Sequence, residues 1–178
     1  NILKRINLHF NPRADLGSLV YLSQMEQALG LETAAYWMRT LDKCHGMLIW
    51  QLNDIWPGTS WSTIEYDGRW KPAHYHAARF FAPIFVTAVP QGDSLAIRTN
   101  SKSAPKVTLW SFSGEKLWAG TARNYALSDF GTEAQRCGRF LQMEVPGASR
   151  VYFFAGPKDC DLRRPAISCR ESRHRGKH

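Results

Sequence analysis

Cysteine is scarce in this sequence: Cys44, Cys137, Cys160 and Cys169 are the only four among 178 residues. They are too few and too scattered to staple a small secreted domain, so they leave the redox compartment open. No Asn-x-Ser/Thr acceptor occurs, and glycosylation therefore gives no sign of a secretory route. No apolar run approaches the roughly 20 residues of a membrane helix, which excludes a helical membrane span. The N-terminus lacks the basic-then-apolar order of a signal peptide. Because the first residue is Asn1, however, the chain is read as starting in mid-protein, where that lack says nothing about secretion. Acidic residues are outnumbered, 15 against 23 Lys/Arg, for a formal charge of +8. Residues 158 to 178 alone hold seven Lys/Arg against three Asp/Glu and supply half of that excess. This basic end has no interleaved aromatics, which argues against a nucleic-acid partner and for a solvated, disordered tail over 157–178. No internal repeat is visible.

What is present is enough to build a core, since 44% of residues are hydrophobic and 21% charged. Residues 1 to 15 show no steady period and include Asn11-Pro12, so they read as a loop. From Leu16 to Leu41 apolar residues return at helical spacing through Leu22, Met25, Leu29 and Tyr36, with Asp15 or Ser18 as the cap and Gly30 as a weak point. Gly46 to Leu52 is a short apolar run that reads as a strand buried on both faces, as in parallel sheets. Trp70 to Phe81 is helical again through Ala73, Ala77, Phe80 and Phe81. After Pro83 about six short alternating runs are divided by turn signals such as Gln91-Gly92-Asp93, Ser113-Gly114 and Pro146-Gly147, the pattern of antiparallel strands. Along Leu141, Met143 and Val145 the apolar residues face one way and Gln142 and Glu144 the other.

Chemistry concentrates between Trp50 and Tyr75. Four of the seven Trp fall between Trp50 and Trp70, among Asn53, Asp54, Glu65 and Asp67. A sugar needs a flat aromatic face for its slightly positive C–H groups and amide or carboxylate groups for its hydroxyls. Trp50, Trp56 and Trp61 are candidates for the first role, and Asn53 and Asp54 for the second. By composition alone the same Trp residues would serve equally well to fill a core.

The stretch GMLIWQLNDIWPGTSWSTIEYDGRWKPAHYHAARFFAPI closely resembles the eighth strand, its loop and the eighth helix of the β-mannosidases of glycoside hydrolase family 2, and the upstream YLSQMEQAL resembles the seventh helix. The resemblance covers roughly residues 12 to 84. Residues 85 to 155 fit by position, as the β-sandwich that follows the barrel. The fold class it implies is α/β plus all-β: the C-terminal end of a (β/α)8 TIM barrel over 1–82, then an incomplete antiparallel, immunoglobulin-like β-sandwich over 83–156. The implied activity is removal of terminal non-reducing β-D-mannose from oligosaccharides, with retention, by a lysosomal or secreted enzyme without cofactor or catalytic metal. Its two catalytic glutamates, about 5 Å apart in such enzymes, map upstream of this chain, so the fragment holds no catalytic residue. By the match, Trp50 lines the terminal-sugar pocket while Asn53, Asp54, Trp56 and Trp61 shape its rim. The implied partners are the β-mannoside oligosaccharide and the rest of the same polypeptide's barrel, with neither nucleic acid nor membrane.

Other readings compete. A related activity on β-glucosamine, β-glucuronic acid or β-galactose is the nearest alternative. A non-catalytic carbohydrate-binding β-sandwich would use Trp110 and Trp118 as its platform. Asp54 and Glu65 form a carboxylate pair, but a loop gives such a pair little preorganisation. His74 and His76 stand two apart on a helix and so do not share a face, and Cys160, Cys169, His174 and His178 lack zinc-site spacing.

Overall fold

A computed structural model describes residues 2–12, 14–162 and Ser168. The chain starts with a helix where the sequence reading expects a loop: α1 runs Ile2–His9 and buries Ile6 completely. Its signal was short, four apolar residues in eight, and the helix depends on packing against the next one. The long helix α2, Leu16–Arg39, begins where the Asp15 carboxylate accepts the Ser18 N–H at 2.8 Å. It runs unbroken through Gly30, whose surroundings are open. Helix α3, Pro72–Phe80, starts with Pro at its first position, where the missing N–H costs nothing. It packs on α2, and Ala35, Tyr36, Phe80 and Phe85 form a small core between them and the chain beyond.

Gly46 to Leu52 forms no regular strand, which corrects the expectation of a buried parallel one. Leu48 is 99% exposed and Trp50 75%. A strand of that type is held by neighbours on both edges and layers on both faces. Among the described residues the only ladder-like contacts nearby are isolated bridges, Asn53 with Ile64 and Ile64 with Trp70. The Trp50–Gln51 peptide is cis.

Beyond Pro83 the described residues form seven strands, one more than the sequence pattern suggests. A three-stranded antiparallel sheet has the order β1 (Val86–Gln91), β2 (Ser94–Thr99), β5 (Asn124–Ala126). A four-stranded antiparallel sheet has the order β4 (Lys116–Gly120), β3 (Lys106–Ser111), β6 (Arg139–Val145), β7 (Ala148–Phe153). β5 is the strand missed, because three residues are too few to show a period. Pro90 sits in β1 at a sheet edge, where no ladder hydrogen bond is lost. The β6–β7 hairpin turns at Gly147, whose φ of 87° suits glycine. Both sheets contribute to one core through Val86, Leu95, Ile97, Val107, Leu109, Leu141 and Met143. Trp118 points into it, meeting Tyr125 and Phe130 edge-on at 5.1 and 5.9 Å. That removes Trp118 from any exposed sugar platform, while Trp110 is spent in part on a 3.0 Å bond from its Nε1–H to Gln142.

Residues 157–162, the start of the segment for which the sequence reading expects disorder, follow a defined path. Pro157–Asp159 make a 3-10 turn, the Lys158 ammonium donates to the Asn7 carbonyl at 3.1 Å, and the Asp161 N–H donates to the Cys137 carbonyl at 2.9 Å. These are polar contacts, invisible to an argument from apolar burial. Apart from Ser168, the rest of that expectation lies outside the described residues.

Candidate functional site

The aromatic loop is folded by its own backbone. Ile64 N–H donates to Leu52 C=O at 2.9 Å, Asp54 N–H to Ile64 C=O at 3.0 Å, and Lys71 N–H to Thr63 C=O at 2.9 Å. The loop thus doubles back on itself, turning at Gly68 with φ 85°. Side chains from α2 tie it down: Gln27 Nε2 donates to the Trp61 carbonyl and Gln24 Nε2 to Glu65, both at 2.8 Å.

Beneath this surface lies a buried polar knot. The Lys71 ammonium is 2.8 Å from Ser62 Oγ, 3.3 Å from Asp54 Oδ2 and 3.5 Å from Ser60 Oγ. The Ser60 hydroxyl donates to Asp54 Oδ1. Lys71 and Asp54 side chains are only 6% and 5% exposed, and a charge so enclosed needs its partner. The Ser60 hydrogen bond first, then Ser62 and the Lys71 ammonium, hold the Asp54 carboxyl below the ordinary aspartate range against the opposing cost of burial. Next to it the Thr63 hydroxyl donates to the Leu52 carbonyl and lies 3.0 Å from His74 Nδ1.

A cleft of about 860 Å³ opens between α1, α2 and the loop, lined by Ile6, Gln24, Gln27, Asp54, Trp61 and Lys71 among others. Of the five residues singled out from the sequence, the structure brings Asp54 and Trp61 to this cleft. Trp50, Asn53 and Trp56 stand outside it, all exposed, with the Asn53 side chain donating to the Asp54 carbonyl at 3.1 Å. Both oxygens of Asp54 are taken by Ser60 and Lys71, so this carboxylate is a structural anchor at least as much as a ligand group. Glu65 is engaged by Gln24 and, at 3.4 Å, by Arg69. Asp54 and Glu65 therefore stand as two separately bonded carboxylates. His74 meets Thr63 and Trp70, whereas His76 lies 2.7 Å from Glu32, which confirms that the two histidines face different surroundings. Among the described residues no cluster of three or more His, Cys, Asp or Glu is placed to hold a metal ion.

Sequence reasoning missed Lys71. A signal was available: Lys71 is the N-cap residue of α3, where the helix dipole disfavours a cation and no side-chain cap bond is made. A lysine in that place has its charge employed elsewhere.

No protein-family model matches the chain. Among curated proteins it is similar to the β-mannosidase of Capra hircus, 39% identical over 110 residues, which is 54% of this chain and 12% of the relative. It is likewise 38% identical over 97 residues to the β-mannosidase of Mus musculus, 47% of this chain and 11% of the relative. The chain thus matches only about a tenth of the length of these relatives. Among solved structures, the β-D-mannosidase from Dictyoglomus thermophilum superposes with a TM-score of 0.74 at 27% identity, over 90% of this chain and 22% of that one. An exo-β-D-glucosaminidase follows with a TM-score of 0.61 at 13% identity, over 85% of this chain and 21% of that one, a likeness of fold alone. A mixed arrangement of helices and antiparallel sheets is therefore shared with glycoside hydrolases. More narrowly, the chain is similar to the C-terminal part of a β-mannosidase.

Proposed function

We propose that the polypeptide containing this chain is a retaining exo-β-mannosidase acting on terminal non-reducing β-D-mannose of oligosaccharides. The observation that carries this reading is the 39% identity to a curated β-mannosidase over 110 residues, together with the superposition on a solved β-D-mannosidase over nine-tenths of the chain. In this reading residues 1–82 are the end of a TIM barrel, 83–156 an immunoglobulin-like β-sandwich, and the exposed Leu48 and Leu52 are faces that the rest of the barrel covers. The 13% identity to the glucosaminidase gives that alternative no comparable support.

A retaining glycosidase works with two carboxyl groups about 5 Å apart, one forming and losing a covalent bond to the sugar, the other donating and then accepting the proton. Both are assigned to the part of the polypeptide outside this chain. What this chain contributes is binding and shape: aromatic faces at Trp50, Trp56 and Trp61 for the C–H surface of the sugar, and Asn53 for its hydroxyls. Asp54 shares that rim through the loop it anchors. A lysosomal or secreted location accompanies the proposal.

The test is the full-length polypeptide assayed on a panel of aryl β-glycosides. Turnover of the mannoside at least about tenfold above the glucosaminide, glucuronide and galactoside, with β-mannose as first product, supports the reading. Preference for another sugar, or no turnover, overturns it.

A further inference from the structure

We infer that Lys71 is a positioning residue: its ammonium, clamped between Asp54, Ser60 and Ser62, sets the place of Trp61 at the cleft. The functional part of this inference rests on the β-mannosidase reading; the structural part does not.

An ammonium has three N–H donors and no acceptor. Around Lys71 three oxygens lie within reach, those of Ser62, Asp54 and Ser60 at 2.8, 3.3 and 3.5 Å. Ser60 and Ser62 are the two neighbours of Trp61 in the chain, so both flanks of the tryptophan are tethered to one buried cation. The Ser62 N–H also donates to Ser60 Oγ at 3.0 Å, closing the loop between the flanks. From the other side Gln27 of α2 holds the Trp61 carbonyl at 2.8 Å. Within this chain the indole itself has little support, Trp61 being 73% exposed. The position of the ring is therefore set by its backbone, and that backbone is fixed by the knot. A sugar face stacked on a misplaced ring loses binding in the ground and transition states alike, which appears in KM rather than in kcat.

The experiment uses the full-length polypeptide labelled with 5-fluorotryptophan, with the Trp61 resonance identified by its loss in Trp61→Phe. Lys71→Met keeps the length of the side chain and removes the charge; Ser62→Ala removes one tether and is the variant to read if Lys71→Met does not fold. The expected result is a displaced or split Trp61 19F line in either variant. On an aryl β-mannoside, KM should rise roughly tenfold for Lys71→Met with kcat within about threefold. An unmoved Trp61 line in folded variants, or a kcat loss with unchanged KM, overturns the inference. A shifted Trp61 line in a polypeptide that turns over no β-mannoside upholds the clamp while the β-mannosidase reading falls.

Discussion

Arg150 on β7 holds Glu32 on α2: its Nε lies 3.3 Å from one Glu32 carboxylate oxygen, and the same guanidinium sits over the Tyr36 ring at 3.9 Å. The other Glu32 oxygen is 2.7 Å from His76 Nδ1 on α3, and Arg150 also donates to the Thr87 hydroxyl on β1. One arginine therefore joins the helical part of the chain to both sheets.

This junction makes stability depend on acid. Burial pushes Glu32 upward, but the His76 hydrogen bond and the charges of Arg150, His76 and Arg79 outweigh it and hold the carboxyl below the ordinary glutamate range. A depressed carboxyl contributes stability that is complete above its unfolded pKa, about 4.3, and is lost as pH falls through the lower folded value. Glu32→Gln in the full-length polypeptide should therefore unfold more easily at pH 7, by roughly 1–3 kcal/mol, the range for a lost hydrogen bond to a charged group. The deficit should shrink below about pH 4. Thermal unfolding of both proteins from pH 3 to 7 checks this; a constant gap would contradict it.

Leu141→Ala should destabilise the sheets by about 2–5 kcal/mol, the cost of a cavity in a packed core. Leu141 is fully buried on β6, opposite Leu109 and Tyr152. Its neighbour Gln142 faces outward, so Gln142→Ala should cost less, limited to the Trp110 hydrogen bond. Denaturant titration that ranked the two the other way would overturn the assignment of faces.

Trp50→Ala in the full-length polypeptide should lower kcat/KM for an aryl β-mannoside at least about tenfold, or roughly 1.4 kcal/mol of transition-state binding. The ring is largely exposed in this chain, so the substitution removes little of the packing described. Unchanged kcat/KM with a lowered melting temperature would instead make Trp50 a packing residue of the full-length polypeptide.

The chain on its own should not hydrolyse aryl β-mannosides, since neither carboxyl of a retaining pair is assigned to it. Exposed Leu48, Trp50, Leu52 and Ile55 should also make it poorly soluble. Comparing it with an Asp54→Asn, Glu65→Gln double variant provides the check. Turnover abolished by that variant while its unfolding transition is unchanged would promote the two loop carboxylates to catalysts.

Local periodicity carried much of the fold. The helical spacing along α2, its return along α3 and the alternation along β6 are decided within a few residues, and the structure follows them. Features that depend on distant partners were not readable in this way. Ile6 stands among Ile2, Leu3 and Leu8 in a run too short to show a period until α2 covers it, and the run from Gly46 to Leu52 has the composition of an inner strand without flanking strands among the described residues. At the site, the aromatic residues announced themselves by type, whereas Asp54 could not be told from a sugar ligand until Lys71, 17 residues on, was seen to occupy it.

Arg39 closes α2 by donating to three carbonyls in succession, those of Phe80 and Ala82 at 2.6 and 2.7 Å and of Pro83 at 3.0 Å, while its guanidinium lies over Phe85 at 4.4 Å. The joint between helix and sheet is thus clasped by a residue more than 40 positions earlier in the chain. A chimera that exchanged the two sheets between relatives at Pro83 would keep those carbonyls, since any residue supplies them, and would leave only the ring at position 85 to the incoming sequence. Grafts should therefore keep this joint where the incoming sheets bring an aromatic ring to that position and loosen it where they do not.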